Sequence, residues 1–201
     1  MNKVVLAGGL WVPGMAMALL GARLGRHGYP THVFHYSGRD SLEGNVERLV
    51  RHAHAHGRAH FVGHSLGGVL VFDALNAHPE LDVATAVLIG APVRGCLAGR
   101  RLAISRFGRW MMGATTPRWG ERDAIWRRPE PLGIIAGTLP IGLGWMTGRL
   151  PGRSDGVVRV EETLVEGMSQ QVAVPLSHSA LIASRRVARL VGQFLAGGRF
   201  E

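Results

Sequence analysis

The chain has 201 residues, of which 46% are hydrophobic, so its length and composition suit one domain with a substantial core. Its net charge of +9 is carried almost entirely by arginine, and is compatible with nucleic acid, an anionic membrane surface or merely an arginine-rich composition. No RNA- or DNA-binding motif is present, so we expect no nucleic-acid partner. Cys96 is the single cysteine, which excludes an internal disulfide, and no segment has the length and apolarity of a transmembrane helix.

Strand-like and helix-like segments alternate along the chain. Short apolar, partly β-branched runs predict strands at 3–7, 31–36, 59–62, 83–89, 132–138 and 170–174. Helical periodicity or composition predicts helices at 15–26, 41–56, 69–77 and 179–195. This alternation indicates the α/β class, with about six mostly parallel strands and helices on both faces of the sheet. We expect a single domain over residues 1–201. Because no leader sequence precedes the first strand, we also expect a soluble cytoplasmic protein.

The turn between the third strand and its helix carries the pattern G-x-S-x-G, as Gly63-His64-Ser65-Leu66-Gly67. A strained strand-to-helix turn exposes a serine hydroxyl for nucleophilic attack, and glycines around it let strand and helix approach closely. The N–H of Leu66, at the start of the helix, can donate to a developing oxyanion. A glycine-rich turn of an ordinary βα unit is the alternative, but the flanking elements favour a nucleophilic Ser65.

A nucleophilic serine requires a base and an acid that orients it, and in enzymes with a G-x-S-x-G elbow of this kind both follow the serine in the chain. Only two histidines follow it, and His78 lies at the far end of the helix, so His178 is predicted to be the base. Asp155 is predicted to be the acid because it is the only carboxylate between residues 132 and 160. Glu161 and Glu162 remain as fallback candidates.

The loop after the first strand is expected to supply the second oxyanion donor, through the N–H of Leu10 or, as the second choice, of Trp11. We expect Trp11, His64 and Trp145 to contact substrate. Trp145 lies in a Gly- and Pro-containing segment, 139–152, that is predicted to be a loop lining the site.

Segment 94–131 breaks the alternation, since it has nine arginines and no strand pattern. Six of its residues fall on one helical face: Ala103, Ile104, Phe107, Trp110, Met111 and Ala114. Such a helix either packs on the edge of the sheet or forms a cap or lid whose apolar face meets an acyl chain or a lipid surface.

Two other features are interpreted as structural. His52 and His56 share a helical face and could hold a metal ion together, but neither a carboxylate nor a cysteine accompanies the His52–His54–His56 run, so we expect no metal there. No strand-to-helix turn like that of Ser65 surrounds Cys96, which is therefore interpreted as a small buried or loop residue.

Four motifs together resemble the α/β-hydrolase superfamily, specifically bacterial lipases and esterases. These are G-H-S-L-G-G at 63–68, L-A-G-G-L-W at 6–11, S-D-G-V-V at 154–158 and S-H-S at 177–179. The resemblance covers most of residues 3–195, except segment 94–131. It departs from the pattern at Gly8, where many of those lipases have a histidine in the oxyanion loop.

The residues and the resemblance together predict an esterase or lipase without metal or cofactor. Its substrate would be a small ester or a lipid, and contact with a membrane surface would be transient. A thioesterase, peptidase or acyltransferase could use the same three residues. A non-catalytic hydrolase fold that binds a lipid or a partner protein is the alternative from another class. The oligomeric state is left open.

Overall fold

One sheet of six parallel strands organises the computed structural model, which describes residues 2–10, 14–38, 40–142 and 148–201, without the side chains of 116–118. Its strands are β1 (Lys3–Ala7), β2 (Thr31–Phe34), β3 (Ala59–His64), β4 (Val83–Ile89), β5 (Leu132–Gly137) and β6 (Gln170–Val174). The spatial order is β2-β1-β3-β4-β5-β6, and every neighbouring pair is parallel. The carboxyl ends of all these strands therefore meet at one edge of the sheet.

Helices cover both faces of the sheet, as the alternation predicts. The described helices are α1 (Gly14–Gly25), α2 (Leu42–His54), α3 (Leu66–Ala77), α4 (Leu97–Ala103), α5 (Arg106–Met112), α6 (His178–Ala183) and α7 (Arg185–Gly197). Short 3-10 helices occupy Gly113–Trp119 and Val160–Thr163. Alternate strand residues point to opposite faces, so Phe61 joins the core under α2 and α3, whereas Val62 joins the core under α1, α6 and α7. The predicted α/β class is confirmed.

The continuous last helix predicted over 179–195 is wrong. The chain is extended at Ser184 (φ −80°, ψ 130°), where α6 has ended and α7 begins. The Ser184 hydroxyl accepts a 3.3 Å hydrogen bond from the N–H of Val187, which is the contact of an N-cap residue. Ser184 therefore starts a second helix, although the apolar pattern of the sequence continues without a break from α6 into α7.

The single helical face predicted within segment 94–131 is also wrong. Ser105 divides the pattern, because its hydroxyl accepts a 2.9 Å hydrogen bond from the N–H of Gly108 and caps α5. Phe107 and Trp110 are exposed on α5, whereas Met112 is buried. None of the helices in the described ranges is long and apolar enough to cross a membrane.

Candidate active site

Ser65 lies at the sharp turn between β3 and α3. Its backbone has φ 54° and ψ −125°, and among the described residues it is the only non-glycine residue with positive φ. Such a conformation is strained for a residue with a β-carbon, and is retained only where the surroundings enforce it. A 2.9 Å hydrogen bond from the Ser65 N–H to the carbonyl of Ile89 fixes the turn against β4.

Three glycines make this turn sterically feasible. A β-carbon on Gly63 would collide with the backbone of Gly68, and one on Gly67 would collide with the carbonyl oxygens of Ala7 and Gly8. A β-carbon on Gly68 would lie 2.5 Å from that of Ala91. The elbow is therefore wedged against the ends of β1 and β4, and no larger residue fits at these positions.

His178 brings the three candidate catalytic residues together. Its Nε2 lies 3.0 Å from the Ser65 Oγ, and its Nδ1 lies 2.7 Å from the Asp155 Oδ2. A neutral imidazole that donates from Nδ1 to the carboxylate can accept the serine proton at Nε2. His178 is the first residue of α6, four residues after the carboxyl end of β6 at Val174.

Asp155 is held rigidly for its contact with His178. Its side chain is 1% exposed, and its Oδ1 accepts hydrogen bonds of 2.9 and 2.7 Å from the N–H groups of Val157 and Val158. The His178 N–H also donates to the Asp155 carbonyl at 2.9 Å. These contacts use one carboxylate oxygen for the loop and leave the other for the imidazole.

Glu162, a fallback candidate for the acid that orients His178, instead makes hydrogen bonds that hold two backbone segments together. Its carboxylate accepts hydrogen bonds from the N–H of Leu97 at 2.7 Å and from the N–H of Arg159 at 2.8 Å. It therefore connects the start of α4 to the loop that carries Asp155. Glu161 is exposed and forms an ion pair with Arg159. Neither carboxylate is hydrogen-bonded to His178.

The loop after β1 approaches the serine closely. A β-carbon on Gly9 would lie 2.7 Å from the Ser65 Cβ, so only glycine allows this approach. Leu10 follows and lines the cavity next to Ser65. On the other side, Leu66 is the first residue of α3, where a backbone N–H has no partner within the helix. Both candidate oxyanion donors thus belong to segments that flank Ser65.

Tyr36 supports that loop, and sequence reasoning missed it. Its hydroxyl donates a 2.7 Å hydrogen bond to the carbonyl oxygen of Gly8. Burial raises the pKa of the Tyr36 phenol, which therefore stays a neutral donor. The available signal was its place at the end of the predicted strand 31–36, which in the structure ends at Phe34 and pairs with β1.

A cavity of about 330 Å³ opens beside Ser65 and His178. Segment 94–131 forms much of its wall through Cys96, Ala98, Gly99, Leu102, Met112 and Trp119. Further lining residues are Ile141, Gly142, Ile182 and Ala183. The walls are mainly apolar, and the hydroxyl and imidazole groups among the lining residues belong to His64, Ser65, His178 and Ser179.

Comparison with solved structures identifies the fold. The chain matches a pyrethroid hydrolase with a TM-score of 0.65 and 16% identity, over 98% of both chains. It matches a metagenomic carboxyl esterase with a TM-score of 0.69 and 15% identity, over 98% of this chain and 74% of the esterase. A Xanthomonas campestris protein assigned to the α/β-hydrolase superfamily matches with a TM-score of 0.61 and 14% identity, over 98% and 99% of the two chains. No family model and no curated protein match the sequence. The chain has the α/β-hydrolase fold.

His64 directly precedes Ser65 and lines the cavity, but it is 1% exposed. Burial and the neighbouring His178 lower the pKa of His64 to about 3, so its ring is neutral. Its Nε2 donates a 3.2 Å hydrogen bond to the carbonyl of His178. His64 therefore contacts the backbone of His178 directly, whereas its predicted contact with substrate stays a prediction.

Other residues singled out in the sequence lie away from the centre of this hydrolase fold or outside the described residues. His78 is hydrogen-bonded to Glu80 on the surface. The His52 and His56 rings are 4.5 Å apart, and no group that could hold a metal ion is found within the described part of the chain. Trp11 and Trp145 lie outside the described residues, so their predicted contacts stay predictions.

Cys96 is buried in the cavity wall. Burial, together with the charge of Glu162, raises the pKa of its thiol to about 12, so the thiol is protonated and a poor nucleophile. Its sulfur accepts a 3.4 Å hydrogen bond from the N–H of Gly99 at the start of α4. These contacts agree with the structural interpretation of this residue.

Proposed function

We propose that this chain is a serine hydrolase that cleaves carboxylic esters through an acyl-serine intermediate. The observation that carries the proposal is the continuous hydrogen-bonded chain Ser65–His178–Asp155, with distances of 3.0 and 2.7 Å, on an elbow that holds Ser65 at positive φ. Such a chain is the arrangement required for nucleophilic catalysis by serine.

In the first half of the proposed reaction, Ser65 attacks the ester carbonyl. His178 Nε2 takes the hydroxyl proton as the new C–O bond forms, and Asp155 stabilises the resulting imidazolium. The negative charge on the carbonyl oxygen is met by the N–H groups of Leu66 and Leu10. Collapse of the tetrahedral intermediate then breaks the bond to the leaving alcohol, which receives its proton from His178.

In the second half, water releases the acid. His178 takes a proton from the water as its oxygen attacks the acyl carbonyl. The second tetrahedral intermediate collapses with Ser65 as the leaving group, and His178 returns the proton to its oxygen. The three residues have then returned to their starting protonation states, and the only reactants consumed in the cycle are the ester and one water molecule.

The chemistry of the cavity favours a substrate ester with an apolar acyl or alcohol group. Its walls of Leu102, Met112, Val157 and Ile182 supply apolar contacts and no charged group. Two of the matched structures are a pyrethroid hydrolase and a carboxyl esterase, and their sequence identity to this chain is 16% and 15%. The fold they share with it accommodates ester cleavage.

The test is covalent labelling with a fluorophosphonate, which phosphonylates only an activated serine. We expect the wild type to be labelled, Ser65→Ala to be unlabelled, and Ser179→Ala, which removes another serine of the cavity wall, to be labelled normally. Asp155→Asn should lower kcat for a p-nitrophenyl ester by about 10⁴-fold because the imidazole loses its orienting acceptor.

A folded wild-type protein that resists labelling, also in detergent, would overturn the catalytic proposal and leave a non-catalytic binding protein. A series of p-nitrophenyl esters of rising chain length then separates esterase from lipase preference. Parallel assays with thioesters, and with an added alcohol as acyl acceptor, would reveal thioesterase or acyltransferase activity.

A further inference from the structure

The exposed large hydrophobic residues of the described chain are confined to three segments. Met15 and Leu19 belong to α1, Leu139 and Ile141 follow β5, and Ile104, Phe107 and Trp110 belong to the α4–α5 region. Each of these segments also lines the cavity, through Ala16, Ile141 and Met112 respectively. Single exposed apolar residues are normal when scattered, but a set gathered around one cavity indicates an interaction surface.

The outward side of α5, together with Ile104 at the end of α4, is the most apolar part of this set. Ile104, Phe107 and Trp110 are 79%, 60% and 63% exposed, and the rings of Phe107 and Trp110 stack with centroids 5.9 Å apart. These three residues are named the aromatic face below. The inward side of α5 carries Met112, which is 2% exposed and lines the cavity. One short helix thus separates the cavity from the aromatic face.

Positive charge predominates around the aromatic face. Residues 97–112 contain four arginines and no acidic residue, namely Arg100, Arg101, Arg106 and Arg109, of which Arg100 forms an ion pair with Glu121. Arg106 and Arg109 are exposed on α5 itself, on either side of Phe107. Arg109 also donates to the carbonyls of Ala103 and Ile104 at 2.7 and 2.9 Å, which joins α4 to α5. Exposed aromatic residues among arginines are complementary to a surface that is negative outside and apolar beneath.

We propose that the aromatic face docks on the surface of an anionic phospholipid bilayer, with Phe107 and Trp110 entering the headgroup region and Arg106 facing lipid phosphates. Amphipathic rings are favoured at this depth, and arginines gain from the negative potential of anionic lipid. A second copy of the chain fits less well. A symmetric contact through the same face would place the arginines of both copies opposite one another.

Docking in this orientation brings the wall of the cavity to the lipid surface, because α4 and α5 carry both Leu102 and Met112 on the inside and the aromatic face on the outside. The docking itself does not depend on the proposed hydrolysis. It is therefore tested in the Ser65→Ala variant, in which Ser65 cannot cleave lipid. The binding measurement then has the same meaning whether or not the catalytic proposal is correct.

The experiment is co-sedimentation of the Ser65→Ala protein with vesicles of phosphatidylcholine, with and without phosphatidylglycerol. We expect binding only when phosphatidylglycerol is present, and weaker binding at high salt, since screening weakens exposed charge interactions. Adding Phe107→Ser and Trp110→Ser should reduce the affinity by more than about tenfold. Adding Arg106→Gln should reduce it by about fivefold.

The matched control for the charge change is Arg51→Gln, an exposed arginine of α2, a helix that contributes nothing to the cavity wall among the described residues. It should leave binding unchanged. Equal binding to both kinds of vesicle, no binding to either, or full binding by the Phe107→Ser/Trp110→Ser protein would each overturn the proposal. Light scattering that shows a dimer dissociated by Trp110→Ser would overturn it as well, because the face would then be a self-contact.

Discussion

Tyr36 fixes the loop after β1 through one hydrogen bond, and we expect Tyr36→Phe to lower kcat. The change keeps the ring, which stacks on Phe34 with centroids 5.8 Å apart, and removes only the donor to the Gly8 carbonyl. Loss of one such bond leaves a carbonyl unsatisfied and costs about 1–2 kcal/mol. If the loop supplies an oxyanion donor, most of this loss appears in the transition state, so kcat falls by about tenfold while KM changes little.

Tyr29→Phe is the matched control for this prediction. Tyr29 is the other of the two tyrosines and packs edge-on against His60, in the core under α1. Steady-state kinetics of both variants on one p-nitrophenyl ester, with urea unfolding alongside, decide the outcome. A Tyr36→Phe protein that is destabilised but retains wild-type kcat would make Tyr36 a purely structural residue.

At the scale of elements, the elbow glycines should be intolerant of a single methyl group. A β-carbon on Gly67 would collide with carbonyl oxygens at the end of β1, which are backbone atoms and cannot rotate away. We expect Gly67→Ala to lower the free energy of unfolding by about 3 kcal/mol, the upper part of the range for overpacking. Gly192→Ala is the control, because a β-carbon there meets nothing within 4 Å. In the interior of α7 it should raise stability by about 0.5–1 kcal/mol.

Urea unfolding of both variants measures the difference. Equal stability of Gly67→Ala and wild type would mean that β1 and α3 can separate, and that the elbow is not wedged as described.

The elements that sequence reasoning located well are strands that a glycine or a proline ends. The predicted bounds of β1, β4 and β6 match the structure, since Gly8, Gly90 and Pro175 follow them directly. The errors fall at Ser105 and Ser184, where a helix pattern continues across a break. A hydroxyl that caps the next helix redirects the chain without changing the apolar period, and a periodicity argument cannot detect this.

At the scale of the whole molecule, the juxtaposition of the triad residues follows from the parallel sheet. Ser65 follows β3, Asp155 lies beyond β5 and His178 follows β6, so all three reach the edge where the strands end. Their roles stay predictions. Tyr36 and the cavity wall from α4 and α5 could not be found this way, because they depend on which distant segments meet. No local pattern encodes the contact between the Tyr36 hydroxyl and Gly8.

Two buried histidines give the whole molecule a stability that depends on pH. Burial, aided by Arg58, lowers the pKa of His60 to about 4, and burial lowers that of His64 to about 3. The unfolded chain binds a proton at each histidine below pH of about 6.5, whereas the folded chain does not until those lower values. The unfolded state therefore holds more protons in this window, and stability falls as pH decreases from about 6.5 towards 4.

Each of the two histidines should remove about 2 kcal/mol of unfolding free energy between pH 7 and pH 5, at about 1.4 kcal/mol for each pH unit below 6.5. His60→Asn tests this, since the amide can keep a hydrogen bond to Thr85, whose Oγ1 lies 2.8 Å from the His60 Nδ1. We expect its loss of stability over that range to be smaller than the wild-type loss by about 2 kcal/mol. His54→Gln, which removes an exposed histidine, should behave like the wild type. If urea unfolding at the two pH values gives His60→Asn the full wild-type loss, then His60 takes up its proton in the folded state and its burial does not keep it neutral.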